Sequence, residues 1–208
     1  MGITERKERE KQEMRELILE AATAMFIEEG YEKTSIRNIA EKIEYSPATI
    51  YLYFKDKDEL FFAIHQLGFN KLQEAMVPVV TIQDPVEKIR RLGHIYIDFG
   101  LNNPEYYDLM FIMRAPINAL KEKTGLDQCW QDGENTFAFL ESIIAECIEK
   151  KLLRGTDVRQ LSIYAWTSVH GMVSLNIRER FGMLDMAPDQ LKKMLTDTMD
   201  MVIDNLKA

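Results

Sequence analysis

The residues best placed to do chemistry on a partner are hydroxyls and small apolar groups, crowded into the run SPATIYLY at residues 46–53. Thr49, Tyr51 and Tyr53 can donate to phosphate oxygens, while Pro47, Ala48 and Leu52 let a helix sit against base edges and meet thymine methyls. Arg37 is the long bidentate donor nearby, of the kind that reads guanine O6 and N7. A helix face that met only water would carry Lys and Glu instead. Lys57 adds a clue of another sort. It is a cation in a first helical turn, against the helix dipole, and a phosphate held at the same helix N-terminus would account for it. Nothing points to catalysis: there is no G-x-S-x-G, H-E-x-x-H, P-loop or dinucleotide fingerprint. No His, Cys or acidic set has metal spacing. No enzyme, metal or cofactor is expected.

Two short helices joined by a tight turn would position these groups. Ile39, Ala40 and Ile43 form the inner face of the first, with Ala40 small at the crossing and Tyr45 filling the gap. Ser46 caps the second, and Pro47 occupies its first position, where a missing N–H costs nothing. Ile50 and Phe54, four apart, turn to the core, which leaves Pro47, Ala48, Thr49, Tyr51, Leu52 and Tyr53 mostly outward.

The rest of the chain is punctuated by helix signals. Met14, Leu17, Ile18, Ala21, Ala22, Met25 and Phe26 form one apolar stripe, followed by Gly30 past a helix end. Asp56 with Glu59 opens a helix that Pro78 ends. Asp84-Pro85-Val86-Glu87 opens another, and Asn103-Pro104 opens one ending near Arg114. Residues 115–133, with Pro116, Gly125 and Gly133, read as irregular. A helix follows from about Asn135 to Lys151. Asp157 with Gln160 and Pro188-Asp189 open the last two. No turn joins two alternating apolar runs, so the fold class is all-α, with about nine helices. A three-helix DNA-binding domain is expected at 1–56 and a larger helical domain at 57–208. The helix starting near Lys57 leaves no linker between them, so motion of the larger part would carry the smaller one.

The net charge of −8 runs against nucleic acid, and residues 1–60 hold ten Lys/Arg against fourteen Asp/Glu. DNA binding must therefore come from a local face; the alternative is a helical protein-interaction module that has lost specific DNA binding. No apolar run approaches the ~20 residues of a bilayer span, and MGITERKEREKQEM has no apolar core of a signal peptide. A cytoplasmic protein with no membrane partner is expected. Cys129 and Cys147 read as two reduced thiols.

The segment resembles the DNA-binding region of TetR/AcrR-type transcriptional regulators. The resemblance rests on Thr34-Ser35-Ile36-Arg37-Asn38-Ile39-Ala40, Ile43-Glu44-Tyr45-Ser46 and Thr49-Ile50-Tyr51-Leu52-Tyr53-Phe54, then Lys57 and Leu60. It extends back through Phe26, Gly30, Tyr31 and Thr34. It implies a homodimeric repressor, acting on a pseudo-palindromic operator, whose C-terminal part senses a small molecule. The expected DNA contacts are Ser35, Arg37, Ser46, Pro47, Ala48, Thr49, Tyr51, Leu52, Tyr53 and Lys57. Glu44-Tyr45 departs from the family's Gly-Val, where the glycine serves a left-handed turn residue: either Glu44 is strained there, at a cost of about 1 kcal/mol, or the turn has a different geometry.

In the C-terminal part, LSIYAWTSVHGMVSLNI at 161–177 is apolar nearly all round. With the stripe Leu191, Met194, Leu195, Val202 and Leu206 it suits a homodimer built on the last two helices. Trp166, His170 and Gly171 resemble the Trp-His-Gly signature of one group of such C-terminal domains. A site for a small apolar effector is expected among Tyr96, Phe99, Tyr107, Met110, Phe111, Phe137, Trp166 and His170, with Asp98 and Arg114 as polar residues nearby.

Overall fold

The structure, a computed structural model, describes residues 2–113 and 126–208; Arg114, Pro116, Gly125 and the side chain of Cys129 lie outside them. The described residues form nine α-helices: α1 Ile3–Glu29, α2 Ile36–Lys42, α3 Pro47–Tyr51, α4 Lys57–Met76, α5 Pro85–Asn102, α6 Pro104–Phe111, α7 Leu126–Glu149, α8 Val158–Ile177 and α9 Pro188–Asp204. Among them the only β feature is an isolated bridge between Leu153 and Lys207. The fold is all-α, as expected. α7 begins well before Asn135, and Gly133 lies inside it. An interior glycine costs a helix only about 1 kcal/mol, which the long apolar face of α7 outweighs.

The chain divides into two compact units, Met1–Gly68 with Glu105–Trp130, and Phe69–Pro104 with Gln131–Ala208. The expected boundary after residue 56 falls inside the first unit, because Leu60, Phe61 and Ile64 of α4 belong to its core together with Ile18, Phe26, Ile39, Ile50 and Leu109. A tilted aromatic trio, Phe26, Tyr31 and Phe61, fills its centre with ring centroids 5.4–5.8 Å apart. In the second unit α5 packs on α8 and α9. Asp84 caps α5 by accepting from the Val86 N–H at 2.8 Å. A Cβ at Gly93 would stand 2.6 Å from Met199 Cγ, so glycine there sets how closely α5 and α9 approach. Arg90 ties the same pair with Nη1 3.0 Å from Asp200 and Nη2 2.9 Å from Asp204. Cys147 is buried; burial, aided by Glu146, pushes its thiol up to about 11, so it packs as an inert side chain.

α2, α7 and α8 end alike. Glu44, Lys151 and Glu179 each take a positive φ (61°, 56° and 55°). Each is followed by an N–H that reaches back five residues, Tyr45 to Ala40, Leu152 to Cys147 and Arg180 to Leu175, all at 2.9 Å. These are Schellman ends, a position that usually falls to glycine. Of the two geometries open at Glu44, the left-handed one is present. Glu44→Gly relieves a Cβ clash of about 1–2 kcal/mol and adds unfolded-chain entropy of about 0.5–1 kcal/mol. It should therefore stabilise the protein by about 0.5 kcal/mol, read as a higher urea midpoint at unchanged m-value.

His65 on α4 is 2% exposed. Burial holds its imidazole down to about 4, against the opposing effect of a hydrogen bond with the Met110 backbone. The fold therefore prefers neutral His65. Its contribution is complete above the unfolded-state value of about 6.5 and fades as pH falls towards about 4. Between pH 7 and pH 4 this group should withdraw on the order of 3 kcal/mol. Urea midpoints across that range should fall more steeply for the wild type than for His65→Leu; parallel curves would contradict the assignment.

Candidate nucleic-acid interface

The proposed reading face is built on α2 and α3. Ser35 caps α2, its Oγ accepting from the Asn38 N–H at 3.2 Å. Ser46 caps α3 in the same way, accepting from the Thr49 N–H at 3.3 Å, and Pro47 takes the first helical position. Ile39, Ala40 and Ile50 are fully buried where the two helices meet. α3 is short. The chain tightens after Tyr51, with the Tyr53 and Phe54 N–H groups both donating to the Ile50 carbonyl, and Phe54 returns to the core at 2% exposure.

What is left outside is nearly uncharged. Pro47 and Ala48 are exposed and Thr49 is half-buried; Tyr51 is 55% and Leu52 80% exposed. Such an exposed apolar helix face is the feature that marks a contact surface. Arg37 is exposed on α2 and makes no hydrogen bond or ion pair among the described residues. Four residues sit differently from expectation. Tyr45 is 46% exposed and does not fill the gap between α2 and α3, because the left-handed Glu44 turns the chain outward. Tyr53 is half-buried against the core rather than outward. Ser35 and Ser46 spend their hydroxyls on the caps and on Asn38 and Thr49 side chains.

Lys57 is the larger departure. Its Nζ donates to the carbonyls of Tyr31 (2.8 Å) and Thr34 (3.1 Å) and lies 4.0 Å from the centre of the Tyr31 ring. The next residue, Asp58, accepts from the Tyr31 hydroxyl; burial first, and then Asp58, push that phenol well above the usual tyrosine range. The ammonium thus has a structural partner within the unit, and a phosphate is not needed to explain it. Sequence spacing could not show this, since the partners are backbone atoms of a distant loop.

The residues expected to hold an effector fall in both units. Tyr107 and Met110 are buried in the first, with Phe111 5.1 Å from Tyr107 between ring centres. In the second, the Tyr96 hydroxyl lies 3.0 Å from His170 Nδ1. The Trp166 ring is tilted against His170 (5.7 Å between centres) and edge-on to Phe137 (5.8 Å), and Phe99 is buried nearby on α5. Burial, then Arg178, lowers the His170 pKa. Asp98 pairs with Lys192 at 2.7 Å. A separate open cleft of about 220 Å³ in the second unit has Gln73, Met76, Val77, Val80, Thr136 and Phe139 among its lining residues. None of the eight expected effector residues lines it, and no motif in the sequence marked it.

Comparisons with known proteins agree with this geometry. Residues 18–64 match the family described as bacterial regulatory proteins, tetR family, and residues 89–199 match the tetracyclin repressor-like C-terminal domain. The chain is 26% identical over 169 residues to the HTH-type transcriptional repressor AcnR of Corynebacterium efficiens, covering 77% of this chain and 80% of that protein. It is 24% identical to the regulator QacR of Staphylococcus aureus, covering 83% and 93%. Its fold is that of the TetR family regulator PfmR of Thermus thermophilus, with a TM-score of 0.74 at 22% identity over 92% of this chain and 99% of that one. With an N-terminal helix-turn-helix matched over its whole length and a C-terminal match covering more than half of the sequence, this chain belongs to the tetR family of bacterial regulatory proteins and is a transcriptional regulator, not an enzyme.

Proposed function

We propose that the chain is a repressor that reads its operator with the outward face of α3 and Arg37 and leaves it when a small apolar molecule binds the second unit. The observation that carries this reading is the exposed, uncharged face of Pro47, Ala48, Tyr51 and Leu52 beside an unencumbered arginine. A homodimer is supported by α8. One side is buried through Leu161, Ala165, Val169 and Val173, while Ile163, Tyr164 and Leu175 on the other side stand 45–47% exposed. Gly171, on that outer side, has open space where a Cβ would stand. Met201 of α9 is 66% exposed. Two copies joined by the last two helices would present two α3 helices to successive major grooves.

Arg37→Ala should weaken operator binding by about 1–3 kcal/mol and relax preference at one base position. Tyr51→Phe should weaken all sequences alike. Mobility shifts on DNA upstream of the protein's own gene, with helicity checked by circular dichroism, test both. Wild-type affinity in both well-folded variants would defeat the proposed reading face, and absence of any shift by the wild type would favour an interaction module without specific DNA binding.

For the effector, the Tyr96–His170 hydrogen bond beside the Trp166 and Phe137 rings supports a mostly apolar site with one polar anchor. Neutral apolar compounds that release the operator should act about tenfold more weakly on Trp166→Ala, while its affinity for DNA without compound stays unchanged. Equal potency on both proteins would place the effector elsewhere.

A further inference from the structure

The first ten residues of α1 pose a question that the reading face does not answer. Residues 4–13 are exposed on every side of the helix, so this part of α1 overhangs its unit. The overhang has two different faces. On one, charges neutralise each other along the helix: Arg6 with Glu10 at 2.7 Å and Arg9 with Glu13 at 3.4 Å. The other carries Lys7, Lys11 and Arg15 at i, i+4 and i+8, one row of a helix. Lys7 and Lys11 have no ion pair or hydrogen bond among the described residues, and Glu8 borders the row.

The position of this row matters more than its charge. Ile18, Ala22 and Met25 follow Arg15 on the same stripe and are buried at 0%, 0% and 5%. The lysines therefore continue, beyond the edge of the unit, the helix face that packs onto the core of α2 and α3. Arg15 marks the join. It is half-buried, with Cζ 5.1 Å from the centre of the Phe54 ring, and Phe54 closes the turn after α3.

We propose that Lys7 and Lys11 contact backbone phosphates flanking the half-site read by α3, so that the α1 overhang is a second DNA-contacting element. The proposal rests on the DNA-binding function above. The occupant follows from charge and continuity: two lysines without ion pairs, continuing a row that starts beside the recognition helix in a chain of net charge −8, fit a polyanion that α3 already holds. From Arg15 to Lys7 the helix rises about 12 Å, which spans roughly three to four base pairs at 3.4 Å per step. The contacts carry no sequence information; they add affinity and register.

The test uses a duplex selected by the full-length wild-type protein from a random pool. It is made in two lengths, one ending at the outer edge of each half-site and one extended by about five base pairs on each side. Wild type should bind the longer duplex more tightly, and Lys7→Gln/Lys11→Gln should bind both alike. The slope of log affinity against log salt on the longer duplex should become shallower by about two per protomer in that variant. Arg6→Gln/Arg9→Gln removes the same two charges from the self-neutralised face and should change the slope by less than half as much. Equal changes in the two variants would reduce the effect to overall charge and overturn the proposal. Equal wild-type affinity for both duplex lengths would overturn it too. Failure of the wild type to select any duplex would overturn the DNA-binding function together with it.

Discussion

The proposed reading face depends on the hold that the first turn of α4 keeps on the loop between α1 and α2. Lys57 reaches back to two loop carbonyls, and Asp58 takes the Tyr31 hydroxyl. Gly30 begins that loop at φ 86°, a conformation open to glycine and strained for other residues. Thr34 ends it, buried, with its hydroxyl bonded to the Met25 and Gly30 carbonyls. A lysine in a first helical turn loses about 0.3–1 kcal/mol to the helix dipole. Two charge-assisted hydrogen bonds of about 1.5–3 kcal/mol each outweigh that. α2 begins two residues after this clasp, so the clasp fixes where α2, and through it α3, can stand.

Charge sets the second constraint. A protein with eight more acidic than basic residues repels DNA at long range, and its affinity must be made at contact. Many carboxylates are occupied within the protein. Glu87, Asp200 and Asp204 meet Arg90, and Glu146 meets Lys88 and Lys150. The exposed face of α3 carries neither sign. It can approach bases closely without desolvating a charge of its own, which costs far more than desolvating a methyl or a phenol.

The helix boundaries were legible because caps are local. Asp84, Asp157 and Ser46 each bond an N–H two or three residues on, within reach of sequence spacing alone. The turn at Glu44 was legible as a position filled by an unusual residue type, but its left-handed conformation was decided only by the structure. The start of α7 was not, because Gly133 looks like a breaker when the gain from burying the helix face cannot be counted.

The sequence by itself determined the all-α class, the helix-turn-helix with its uncharged outer face, and the family, since all three are written in short-range periodicity and fixed spacing. Tertiary structure alone decided what each polar group does. Lys57 is spent on carbonyls 23 and 26 residues away, Tyr45 stays in solvent, Tyr96 meets His170 across 74 residues, and the Gln73–Phe139 cleft joins segments that no motif connects. Hydrogen bonds and burial depend on which distant atoms arrive within about 3 Å, and only the packed fold brings them there.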